Sequence, residues 1–134
     1  MAMNVATYDA KDTTIVVDGV YITGLGEDMI SAEKEEDFFE DSVGAQGDVV
    51  KSVINDTRGT VSIFIQPTSP QKAYLMSLAK RTEPFPLWAV NKKLGERIGG
   101  TKANLLSFPE FARGATAEDM EFVFRVFDLT IEAA

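Results

Sequence analysis

The densest set of side chains capable of chemistry is the acidic run Glu33, Glu35, Glu36, Asp37, Glu40 and Asp41. Paired carboxylates do acid–base work when burial holds one protonated beside an ionised partner. No apolar pocket signature surrounds this run, and Lys34 sits inside it. Oxygen ligands for Ca²⁺ are present, but not at the spacing of an EF-hand loop. A solvated acidic face accounts for the pattern better than either site. In an extended segment from Ile30 to Phe39, period 2 puts Ser31, Glu33, Glu35 and Asp37 on one side. The other side carries Ile30, Ala32, Lys34, Glu36 and Phe38. The four side chains of the first set are the candidates for a charged lining that meets either bulk water or the inside of a pore.

Other chemistries are limited by what the chain lacks. It has no cysteine, so disulfides, thiolate metal sites and thiol nucleophiles are excluded. It has no histidine, which removes the commonest general base and the commonest metal ligand. The run Gly95-Glu96-Arg97-Ile98-Gly99-Gly100 invites a phosphate-loop reading. It lacks the Gly-Lys-Ser/Thr ending and no helix follows, so a hairpin with a bulge is the better reading. Phe38, Phe39, Trp88 and the set Phe122, Phe124 and Phe127 could stack on bases, but they sit among Glu and Asp instead of interleaved Lys and Arg. Core and interface packing is the better account of them. No cofactor is implied.

The elements that must position these groups come from a chain of 134 residues, 45% hydrophobic and 25% charged. That is one globular domain, 1–134, large enough to build a core without staples. Net charge is −8, which argues against a basic footprint for gripping nucleic acid. The charge is uneven: residues 1–57 hold 13 acids and three bases, and residues 58–134 hold eight acids and ten bases. Residues 1–13 lack an apolar stretch and a basic start, so no signal peptide is expected, and they read as a flexible arm. No apolar run is long enough to span a bilayer, so no membrane anchor is expected.

Most of the chain reads as strands. Thr14 to Asp18 and Val20 to Thr23 flank an Asp18-Gly19 hairpin turn. Asp41 to Asp48, with Gly44 and Gly47, reads as a loop, and Val49 to Ile54 as a strand. Thr60 to Gln66 alternates, with Val61, Ile63 and Ile65 on one face. One helix is expected after Ser69-Pro70, which supply an N-cap and a first-turn proline. Tyr74, Leu75, Leu78 and Ala79 would form its buried stripe. Leu87 to Asn91, Glu96 to Ile98 and Ala103 to Phe108 are further strands, with Gly99-Gly100 as a bulge or kink. Glu121 to Ile131 has apolar residues on both faces and is expected to be central and covered on two sides. The fold class is therefore mainly β: an antiparallel β-sandwich or open barrel with one packed α-helix.

The order of these features resembles the tail tube proteins of contractile-tailed bacteriophages, in the small-subunit family. The resemblance runs from Thr14 to Glu132. It is carried by Val17-Asp18-Gly19-Val20-Tyr21-Ile22-Thr23-Gly24, by Gly44-Ala45-Gln46-Gly47-Asp48, and by Thr60 through Gln66. It continues through Thr68-Ser69-Pro70-Gln71, Trp88-Ala89-Val90-Asn91 and Ala117-Glu118-Asp119. Type VI secretion tubes and extracellular injection systems are similar in architecture.

The resemblance implies a structural virion protein, not an enzyme, assembled in the host cytoplasm. Six subunits would form a ring, and rings would stack into a tube that carries DNA into the host. The partners implied are further copies of the chain, a tail sheath protein, and baseplate and tail terminator proteins. The tape measure protein and DNA would pass through the lumen without specific binding. In that frame Ser31, Glu33, Glu35 and Asp37 are expected to line the lumen. Ser42, Val43, Gly44, Ala45, Gln46 and Gly47, in a loop of about 41–48, are expected to meet the next ring. Two rivals stand beside this reading: a tail terminator or connector of the same fold, and a small carboxylate-based enzyme or binding module.

Overall fold

The computed structural model describes residues 3–133. After a 3₁₀ turn at Ala10–Asp12, Thr13–Val17 (β1) and Val20–Tyr21 (β2) form the first hairpin. Asp18 and Gly19 both take positive φ, 50° and 80°, as a two-residue turn between right-twisted strands requires. Leu25–Lys34 (β3) follows, then Phe39–Val43 (β4), Val49–Val53 (β5) and Gly59–Ile65 (β6). The helix Lys72–Ser77 (α1) runs into a 3₁₀ turn at Leu78–Lys80. Phe85–Asn91 (β7), Glu96–Ser107 (β8), Met120–Val126 (β9) and Thr130–Ala133 (β10) complete the chain.

Eight strands make one antiparallel sheet in the order β2-β1-β7-β8-β9-β6-β3, with β10 beside the first half of β8. The sheet curls around a single core. Phe85 of β7 and Phe124 of β9 meet edge to face at 6.2 Å and 88°, although β8 lies between their strands. Val61, Ile63 and Ile65 of β6 and Phe122, Phe124 and Val126 of β9 are buried, and the residues alternating with them face outward. Leu75 and Leu78 of the helical segment close the core from the side. Burying side chains of this size is worth roughly 1.5–3 kcal/mol each, and this burial holds the curl.

The curl depends on a bulge. Leu87 pairs with Gly100 but Phe85 pairs with Ala103, so Thr101 and Lys102 oppose the single Pro86. A β-carbon on Gly99 would lie 2.0 Å from the Leu87 carbonyl oxygen, so only glycine allows β7 to approach this closely. The bulge lies at the end of the Gly99-Gly100 pair that marks it in the sequence.

Several expected elements differ. The strand expected from Ile30 to Phe39 ends at Lys34, and Glu35 to Phe38 bend away. Ile30, Ala32 and Lys34 face inward, so continuing the strand would bury the Glu36 carboxylate. The segment 41–48 is not wholly a loop: Asp41 to Val43 belong to β4, and Gly44 to Asp48 make the turn. The cross-strand pair Val43–Val49 extends the hairpin to this point. The long last strand breaks after Val126, where Asp128 turns its side chain onto the bulge. The strand β9 is central, but among the described residues no second layer covers its outer face, where Glu121 is exposed and Val123 and Arg125 are half-buried. The helix begins at Lys72, and Ala79 is exposed. Ser69 uses its hydroxyl to donate to the Thr23 carbonyl at 2.6 Å, while accepting the Gln71 amide at only 3.4 Å.

Candidate functional site

The outward face of β3, β6 and β9 is polar because its residues alternate with the core set. Register aligns Glu33, Thr60, Arg125 and Asn104 in one row across four strands. Ser31, Ser62 and Val123 form the next row. Glu35, just beyond the end of β3, turns back onto the first row. Its Oε1 accepts the Thr60 hydroxyl at 2.8 Å and lies 2.9 Å from Nη1 of Arg125. That contact with Arg125 is an ion pair without hydrogen-bond alignment, since Nη1 is buried and otherwise unsatisfied.

The four acidic-face residues therefore divide. Ser31 and Glu33 stand exposed on the polar face. Glu35 has its charge compensated by Arg125. Asp37 lies in the bend that leads to β4, away from the rows. The expected common face holds for two residues and fails for Asp37, because the strand ends first. Sequence reasoning missed Thr60, Asn104 and Arg125 as members of this face. The alternation at Thr60 and Ser62 was visible, whereas the register that brings Arg125 beside Glu35 was not.

The second feature is the hairpin β4–β5, which among the described residues pairs with no other strand and is exposed along its whole length. One face carries the pairs Phe39–Val53, Asp41–Lys51 and Val43–Val49. The Lys51 ammonium sits 4.7 Å from the Phe39 ring. Ser42 and Val43 end β4, and Gly44, Ala45, Gln46 and Gly47 lie in the exposed turn. The base of the hairpin is fixed. The Ile54 amide donates to the Phe38 carbonyl at 3.0 Å, and the Glu35 amide to the Arg58 carbonyl at 3.1 Å. Asp56 accepts from Arg58 at 2.7 Å, and this side-chain bond lowers the Asp56 carboxyl to about 2.

The curl turns the outward face of β1, β7 and the first half of β8 away from the polar face. Here Arg97 lies 3.7 Å above the Trp88 ring, a cation–π stack. Val16, Tyr21 and Val90 neighbour it, and Lys92 and Lys93 flank a shallow cleft of about 510 Å³. Among the described residues, no helix is long and apolar enough to cross a membrane.

The architecture recurs in solved structures. The chain is similar to the anti-feeding prophage tube terminating cap, with a TM-score of 0.69 and 11% identity over 100% of this chain and 96% of that one. It is similar to a chain of the native gene transfer agent virion, with a TM-score of 0.62 and 13% identity over 96% and 99%. A third likeness is to the sheath–tube complex of the PVC extracellular contractile injection system, with a TM-score of 0.59 and 12% identity over 96% and 93%. These likenesses define the fold class, an antiparallel β domain with one packed helix. The sequence matches the bacteriophage PhiTE tail tube protein family over residues 6–126, and the chain belongs to that family. It is a structural protein of the tail tube, and its place is the virion. Among curated proteins, none matches the sequence.

Proposed function

We propose that the protein polymerises as stacked hexameric rings into the tube through which DNA enters the host. The observation that carries this reading is the free-standing hairpin β4–β5. A two-stranded hairpin is marginal in water by itself, and this one displays Phe39, Val43, Val49 and Val53 as exposed side chains. Its tip, from Ser42 to Gly47, is the segment we assign to the contact with the next ring. The edge of β3, unpaired among the described residues, adds a second demand, since exposed edges seek strands. Closed rings satisfy edges, and head-to-tail stacking of rings gives an open filament.

The polar face carrying Ser31 and Glu33 is the one we assign to the lumen. Duplex DNA carries about one negative charge per 1.7 Å of axis, so a basic wall would retain it and an acidic wall lets it slide. The opposite face, with Trp88 and Arg97, then points outward to a sheath. A sheath–tube complex is the setting of one similar structure. Baseplate and terminator proteins complete the proposed set of partners, and the tape measure protein shares the lumen with DNA. We assign no catalytic step to any residue.

Light scattering and negative-stain microscopy of the concentrated protein test this reading. Long filaments of uniform width are expected. A species that stays monomeric at high concentration and forms no filaments would overturn it. The likeness to a tube terminating cap gives a second reading, a terminator, which would stop at single rings.

A further inference from the structure

The chain carries an extended apolar arm and, beside the edge of its sheet, a cleft of matching character. Residues 3–9 form no regular element, and Met3 and Val5 are 86% and 83% exposed. Tyr8 stands at the rim of a cleft of about 540 Å³. The cleft runs along β3, where that strand leaves the register of β6 between Leu25 and Ile30. Met29, Leu94 and Ile98 give it an apolar floor, and Glu27, Asp28 and Glu96 give it acidic walls. The strand β3 ends the sheet, and its ten residues have no strand on their outer edge among the described residues.

We infer that residues 3–7 of one protomer lie in this cleft, along β3, of the neighbouring copy. The inference rests on the ring reading above and names the segment that joins one subunit to the next. Charge selects the occupant. Three exposed segments of the chain display large apolar side chains: the arm, the hairpin β4–β5, and the stretch from Leu106 to Phe111. The hairpin brings Glu40, Asp41 and Asp48 against the single Lys51, and the stretch brings Glu110. Those carboxylates would meet Glu27, Asp28 and Glu96, and like charges at close range repel. The arm carries no charged side chain from Met1 to Tyr8.

Geometry selects a neighbour over the same chain. Tyr8 already occupies its own rim, and the residues before it stand away from the domain. Five extended residues span about 17 Å, against a radius of gyration of about 14 Å for a chain of this length. That reach carries Met3 and Val5 past the boundary of their own subunit. An extended segment added to a sheet edge gains main-chain hydrogen bonds, and its alternate side chains fill pockets beside the edge.

The absence of native cysteine makes a clean test. Val5→Cys and Asp28→Cys are made in separate chains, mixed, assembled and mildly oxidised. A disulfide-linked dimer is expected in the mixture, at least fivefold above either variant alone. A chain carrying both substitutions should give a ladder of linked species. If tubes form and the mixture gives no such dimer, or the double variant links only within its own chain, the inference is overturned while the tube reading stands. If the unsubstituted chain forms neither rings nor tubes, the tube reading falls first and takes the inference with it. Val5→Asp supplies a measurement without crosslinking. It should raise the concentration needed for assembly at least tenfold with an unchanged melting temperature, and assembly at the original concentration would count against the arm contact.

Discussion

Asp128 satisfies the bulge at Thr101. Its carboxylate accepts the Thr101 hydroxyl at 2.6 Å and the Thr101 and Lys102 amides at 3.1 Å. The bulge takes these two amides out of the ladder, and the Asp128 carboxylate supplies the acceptor that the strand partner does not. The bend in the sheet and the break between β9 and β10 therefore share one cause. Desolvation pushes the Asp128 carboxyl up, and the bonds from Thr101 and Lys102 outweigh it and hold the group below the usual aspartate range.

Asp128→Ala should destabilise the fold by about 1 kcal/mol, because it removes charge-assisted bonds to two exposed residues whose amides water can then solvate. The sign of the pH dependence follows from the lowered pKa. The contribution is complete above the ordinary aspartate value of about 3.9 and is lost as pH falls through the folded-state value. Urea melts of both chains should show a constant gap near neutrality that closes in acid. A gap that widens in acid would contradict the assignment.

Two glycine substitutions separate strain from collision. Gly19 has φ of 80°, and a β-carbon added there would meet nothing within 4 Å, so Gly19→Ala should cost only about 1 kcal/mol of left-handed strain. Gly99 has φ of 144°, and its β-carbon would strike the Leu87 carbonyl, so Gly99→Ala should cost about 3 kcal/mol or more. Thermal melts of the two variants rank them directly, and equal losses would refute the close approach of β7 to β8.

Local chemistry explains which parts of this fold were legible in the sequence. Asp18-Gly19 announced its turn because few residues accept positive φ, and Val61, Ile63 and Ile65 announced the core by period alone. Gly99-Gly100 marked the bulge, but nothing nearby in sequence showed that Asp128 would cap it from 27 residues away. The same limit hid the Glu35–Arg125 pair, whose partners meet only through the register of β3, β6 and β9. The strand β5 was legible as Val49 to Ile54, but the end of β4 from Asp41 to Val43 passed for a loop because its side chains are exposed, and burial is what patterns a strand in sequence.

Val43→Asp with Val49→Asp places two carboxylates on the apolar face of the hairpin tip. Both sites are exposed, so stability of the subunit should change by no more than about 1 kcal/mol. If the tip meets the next ring, elongation should fail, because each ring contact would then bury unpaired charge. Sedimentation of assembled material reads the outcome. Normal filaments from this variant would show that the tip faces solvent in the tube.

The lumen assignment rests on Ser31 and Glu33, and the Glu35–Arg125 pair decides which substitutions test it. Glu35→Lys would set a cation against the half-buried Arg125 guanidinium, at a cost of about 1–2 kcal/mol, so its effects would mix stability with function. Ser31→Lys with Glu33→Lys adds two positive charges and removes one negative charge per protomer at exposed positions, and leaves Glu35 paired. Screening acts over about 8 Å at physiological salt, so DNA close to the wall still feels these charges. Each contact is worth on the order of 1 kcal/mol or less in wet surroundings, and the effect comes from repetition along the tube. Tubes of the double variant should retain short duplex DNA at low salt and release it as salt rises, because retained phosphates shed and regain counterions. Tubes of the unsubstituted chain should retain none at either salt. A map of the assembled tube with Ser31 and Glu33 on the outer surface would refute the geometry. Inward-facing lysines that leave DNA unbound would instead refute the electrostatic argument and leave the geometry intact.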